Sequence, residues 1–185
     1  MYTASEKKRE NIAEYLLYMW QVEEIIRANG LDIDRIEKNV IDRFDGLTDE
    51  QRRQMREWYE SLIDMMRREG VEKSGHLQLT KNVIIQLTDL HLALLKDTRF
   101  PDYTAEFYKT LPYIVELRAK AGDKAVNEIE TCFTALYGML MLRLQSKDIT
   151  PDTQNAVAQI SKFIALLAKD FHLDEADKLF PHEEE

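Results

Sequence analysis

Glu23 and His91 are the residues of this chain best placed for chemistry, because each interrupts an apolar helical face. On a wheel turning about 100° per residue, Glu23 falls with Leu16 and Met19, and His91 lies between Ile84 and Leu94. Two cations do the same: Arg118 shares the face of Phe107, Leu111 and Ile114, and Arg143 sits near Cys132 and Leu136. A buried charge left without a partner costs several kcal/mol. The pattern therefore predicts that Glu23 pairs with His91 or with one of the two arginines. The pair has two possible uses. One is a polar pocket lined by Tyr15, Trp20, Glu23 and His91, able to hold a small ligand or a substrate. The other is an ion pair that only fixes helix register, with Arg143 snorkelling from its helix end.

Other chemistries are poorly served. A di-iron carboxylate bundle needs Glu-x-x-His on two helices, and that spacing does not occur. The histidines are His76, His91, His172 and His182, with no His-x-x-x-His pair to share a helix face. Glu57-x-x-Glu60 resembles the first magnesium element of helical nucleotide pyrophosphohydrolases, but no Glu-x-x-Asp follows on a later helix. Cys132 falls on an apolar arc beside Ile129 and Leu136, which is packing rather than a nucleophile. One cysteine builds neither a disulfide framework nor a cysteine-rich zinc site, so a reducing compartment is expected. Six glycines leave no phosphate-cradling loop. Neither metal nor cofactor is expected.

Charge narrows the partners. With 25 Lys and Arg against 34 Asp and Glu, the net charge is −9, unfavourable for nucleic acid. Arg52, Arg53, Arg56, Arg67 and Arg68 are interleaved with Glu57, Glu60, Asp64 and Glu69, a mixed solvated face rather than a phosphate track. The longest apolar run, from Ala135 to Leu142, is far short of the ~20 residues that span a bilayer. No signal-peptide pattern follows the first residues. The expected setting is cytoplasmic, with no membrane and no nucleic acid.

The elements that position these residues are helices. Only 6 Gly and 4 Pro among 185 residues leave room for long ones. Helical spans are expected at about 5–29, 33–44, 48–70, 76–96, 103–121, 123–145 and 151–171, then a short turn at 174–179. Thr48 with Gln51 forms a capping box, Asp32 is an N-cap, and Thr150-Pro151 starts the last long helix. Pro112 inside the fifth span predicts a kink or a split. No strand signal survives. The fold class is all-α: a single helical bundle over residues 1–185, with about six long helices, one or two short ones, and a disordered acidic tail from about 180.

Aromatic and Met residues supply a second functional reading. Tyr15, Tyr18, Met19 and Trp20, with Met55, Trp58, Met65 and Met66, exceed what one core of this size encloses, so a homodimer or protein-partner interface is expected. The block Asn11 to Arg27, NIAEYLLYMWQVEEIIR, with Leu31-Asp32-Ile33-Asp34 after it, resembles an uncharacterised helical family of Bacteroidota, a domain of unknown function. The resemblance implies a cytoplasmic bacterial protein, all-helical and single-domain, and carries no activity or site. The first expectation is a non-catalytic, self-associating interaction or scaffold protein; the rival is an enzyme or ligand binder with its pocket at Glu23 and His91.

Overall fold

A computed structural model describes residues 2–122, 126–176 and 178–180. Its helices are α1 (Tyr2–Glu10), α2 (Ile12–Ala28), α3 (Ile33–Asn39), α4 (Asp49–Glu69), α5 (Gln78–Lys96), α6 (Pro101–Ala121), α7 (Glu128–Leu144) and α8 (Pro151–Glu175), with a 3-10 turn at Ile41–Arg43. No strand occurs among the described residues, so the fold is all-α.

Local chemistry explains most boundaries. The Thr48 hydroxyl accepts from Gln51 N–H while the Gln51 side chain accepts from Thr48 N–H, closing the expected capping box. Asp32 accepts from the amides of Asp34 and Arg35, and Thr150 from that of Thr153 ahead of Pro151. Gly70 ends α4 in the left-handed region at φ 67°.

Four expectations are corrected. The first span is two helices, because the Asn11 side chain accepts from Ala13 N–H and starts α2 afresh. The second stops at Asn39, and its remainder tightens into the 3-10 turn. Helix α6 begins at Pro101 and runs on through Pro112 without a split. Helix α7 starts later than expected, where Asn127 accepts from Glu130 N–H. Of the acidic tail expected from about 180, residues 181–185 lie outside the described residues.

The helices sort into two compact units. The first contains α1, α2 from Glu14, α3, the 3-10 turn, α4 and the first turn of α5. Its centre is Met19, Val22, Ile26, Ile36, Ile41, Tyr59, Leu62, Ile63, Met66 and Leu77, all buried. The aromatic and Met residues expected to form an interface are largely enclosed here. Met19, Trp20 and Met66 are buried, and Tyr15, Tyr18, Met55, Trp58 and Met65 pack half-buried around the centre. The arginines of α4 form the expected mixed face: Arg56 alone meets Asp34, Glu37 and Glu60.

The second unit contains α5 from Val83 onward, α6, α7 and α8. Helix α8 packs along both α6 and α7, and α6 also contacts α7. Phe133, Phe163, Ile114, Leu87 and Leu94 are fully buried within it. Tyr103, Phe107, Thr110 and Ile114 form the inward face of α6.

Candidate functional site

Trp20, Glu23 and Arg27 follow a three- then four-residue spacing, so they share one face of α2. That face clamps the segment leading into α5. Arg27 donates to the carbonyls of Val71 (2.9 Å) and Gly75 (2.5 Å). The Glu23 side chain is fully buried; its Oε1 accepts from Leu77 N–H at 3.1 Å and lies 3.2 Å from the Thr80 hydroxyl. Its Oε2 lies 2.7 Å from His76 Nδ1, and the His76 ring stacks on Trp20 at 4.1 Å between centroids. Leu77 stands just before α5 and has no side-chain acceptor. Glu23 therefore does from α2 what an N-cap does locally, and Glu69 of α4 does the same for Gln78 N–H at 2.6 Å. Two carboxylates at the start of a helix also face the positive end of its macrodipole.

Sequence reasoning placed Glu23 correctly in the interior and missed its partner. His76, not His91 or an arginine, meets the carboxylate. Arg118 pairs with Glu128 at 2.9 Å, and Arg143 is exposed near the end of α7, as snorkelling requires. Tyr15 stays half-buried in the same unit, where burial and the Glu23 charge push its phenol upward. Three of the four expected pocket residues are thus gathered in the first unit. Chemically, a buried carboxylate on Nδ1 sets the tautomer and orientation of a partly exposed imidazole. No helical stripe points to His76, which precedes α5; the only local hint is an imidazole beside a left-handed Gly75.

His91 belongs to a different cluster. In the second unit its Nδ1 lies 2.7 Å from the Tyr103 hydroxyl, and Tyr103, Phe107 and Phe163 surround its ring. Burial lowers its pKa to about 4, so the ring is neutral at pH 7. Burial likewise drives the Tyr103 phenol far up, with the charge of Asp170 adding to it, and pushes the Cys132 thiol up to about 12. A neutral imidazole and an undissociated thiol in an aromatic interior are packing groups, as Cys132 was expected to be.

Grooves among the described residues open to solvent. One of about 550 Å³ is bounded by Leu31, Asp32, Glu60, Asp64 and Arg67, with the Arg67 guanidinium donating to Leu31 O at 3.1 Å. A second of about 310 Å³ lies between the end of α6 and the start of α7, at Leu117, Val126 and Thr134. Neither is lined by Tyr15, Trp20, Glu23 or His91. Among the described residues, no group of three or more His, Cys, Asp or Glu could hold a metal ion, and no helix is long and apolar enough to cross a membrane.

The outward face of α6 is the other feature that helix-by-helix reading missed. Ala105, Tyr108, Pro112, Val115 and Ala119 are all exposed, Tyr108 at 62% and Val115 at 58%. Their alternating three- and four-residue spacing is that of a coiled-coil seam, and it runs on the side of α6 opposite Tyr103, Phe107, Thr110 and Ile114. The sequence carries this signal, but the inward stripe of Tyr103, Phe107 and Ile114 accounts for the helix on its own.

A family model described as a domain of unknown function (DUF4924) matches residues 1–178. No curated protein and no solved structure matches the chain.

Proposed function

The chain belongs to the DUF4924 family, and we propose that it works as a non-catalytic helical interaction protein that pairs with a second copy of itself through the outward face of α6. The observation that carries this reading is the exposed stripe Ala105, Tyr108, Pro112, Val115 and Ala119. Apolar area left in water forgoes about 25 cal/mol for each Å² that could be covered. A continuous exposed apolar stripe with seam spacing marks a surface that is covered in use. Structural employment of the two residues best suited to chemistry supports the same reading: Glu23 caps α5, and His91 is neutral in an aromatic interior. The acidic balance and the paired arginines of α4 favour a protein partner over nucleic acid. The buried lone Cys132 supports a reducing, cytoplasmic setting, and the Asn11 to Arg27 block supports an origin in Bacteroidota.

Sedimentation velocity from about 1 to about 100 µM tests the reading, a range suited to an interface well below the ~800 Å² per partner of a standard one. Wild type is expected to show a concentration-dependent dimer. Tyr108→Glu with Val115→Glu is expected to stay monomeric with unchanged far-ultraviolet circular dichroism. A wild type that remains monomeric over the whole range overturns the proposal.

A further inference from the structure

We infer that the two copies of α6 pair antiparallel, with Lys109 of each chain facing the partner's Glu116. This rests on the self-association through α6 proposed above and adds its direction and register. On the helical wheel Lys109 and Glu116 border the apolar stripe on one side, about 40–60° from Pro112, while Thr104, Leu111 and Arg118 border it on the other. Antiparallel helices meeting face to face set like flank against like flank; parallel helices set opposite flanks together. Parallel pairing would therefore put Lys109 against the partner's Thr104 and Glu116 against the partner's Leu111, with no opposite charge to meet either. Antiparallel pairing brings the lysine flank onto the glutamate flank twice, once on each side of the two-fold axis.

The stripe itself selects the register. With Val115 over the partner's Pro112, Tyr108 lies over the partner's Ala119, a large ring against a small residue. Lys109 is then offset from the partner's Glu116 by about two residues, roughly 3 Å along the axis, well within a lysine side chain's reach. A slide of one heptad would oppose Lys109 to the partner's Lys109, like charge to like charge. Each group already has a neighbour of opposite sign on its own helix: Glu106 lies 3.5 Å from Lys109, and Lys120 lies 2.7 Å from Glu116. Pairing therefore joins these into rows that alternate in sign, Glu106, Lys109, then Glu116 and Lys120 of the partner. The antiparallel arrangement also opposes the two helix dipoles favourably.

A charge-reversal cycle tests the inference on the full chain by sedimentation. Lys109→Glu and Glu116→Lys are each expected to weaken the dimer about tenfold, since each replaces two attractive exposed pairs with two repulsive ones. The double variant Lys109→Glu with Glu116→Lys is expected to recover wild-type affinity within about threefold. A bis-maleimide of about 10 Å reach, longer than a disulfide allows, gives an independent readout. Lys109→Cys and Glu116→Cys proteins are expected to cross-link when mixed, whereas Lys109→Cys alone, whose two sites lie about nine residues apart along the axis, is not; buried Cys132 does not compete. A wild-type dimer that shows no rescue, or that cross-links through position 109 alone, overturns the antiparallel register and leaves α6 self-association standing. A wild type that is monomeric removes the reading beneath it as well.

Discussion

Replacing Glu23 by alanine should destabilise the first unit by about 3 kcal/mol, a loss that can be worked from its contacts. The carboxylate is fully buried and accepts from Leu77 N–H, a backbone donor with no acceptor on its own side chain. A hydrogen bond to a charged group contributes about 1.5–3 kcal/mol, and a buried N–H left without an acceptor costs a similar amount. The His76 contact adds less, about 1 kcal/mol, because that ring is partly solvated. Glu23→Gln keeps a neutral acceptor for Leu77 N–H and should cost only about 1 kcal/mol. Exposed Glu57→Ala on α4 serves as a control and should stay within about 0.5 kcal/mol of wild type. The assay is urea denaturation followed by tryptophan emission. The chain has 2 Trp, and both Trp20 and Trp58 lie in the first unit, so the signal arises where the substitution is made. Hydrogen exchange at Leu77 gives a local readout, expected to lose its protection in Glu23→Ala. A loss below about 1 kcal/mol, with the Leu77 amide still protected, would refute the capping argument.

Two further outcomes follow from the second unit. Unfolded His91 takes a proton near pH 6.5, whereas folded His91 takes one only near 4, so the unfolded state binds more protons between these values. Its contribution is fully present above pH 6.5 and falls by about 3 kcal/mol as pH drops to 4. Asp170, whose carboxyl burial raises, acts in the opposite sense in acid, so the comparison of wild type with His91→Phe isolates the histidine. Parallel stability profiles for the two proteins between pH 7 and pH 4 would sink this account. Cys132, fully buried with its thiol pushed up to about 12, should resist maleimide at pH 8 in native protein and react at once in denaturant. Native labelling within minutes would contradict its interior placement.

What could be seen in advance was what local chemistry decides. The Thr48–Gln51 box, the Asp32 and Thr150 caps and the Gly70 stop depend on residues within one turn of each other, and all were legible. The Asn11 break was hidden because apolar periodicity runs straight across it, while an Asn side chain bonding two residues ahead restarts the helix. Glu23 was recognisable as an interior charge from its wheel position. His76 was not recognisable as its partner, because the path of residues 71–77 is set by Arg27 and Glu23 rather than by any pattern within the loop. Tyr108 and Val115 were overlooked for another reason: α6 carries apolar residues on two opposite sides, and the inward one accounts for the helix on its own.

The remote caps of α5 have a consequence for synthesis. Residues 23 and 69 leave the ribosome before residue 77, so both acceptors are already waiting when the amides of Leu77 and Gln78 emerge. An excised peptide covering α5 alone would lack both and fray at its amino end. In the nascent chain, the first turn of α5 can settle at once on helices made earlier, without waiting for α6, α7 or α8. Growth in the natural direction thus never leaves that turn searching for a partner still to be translated.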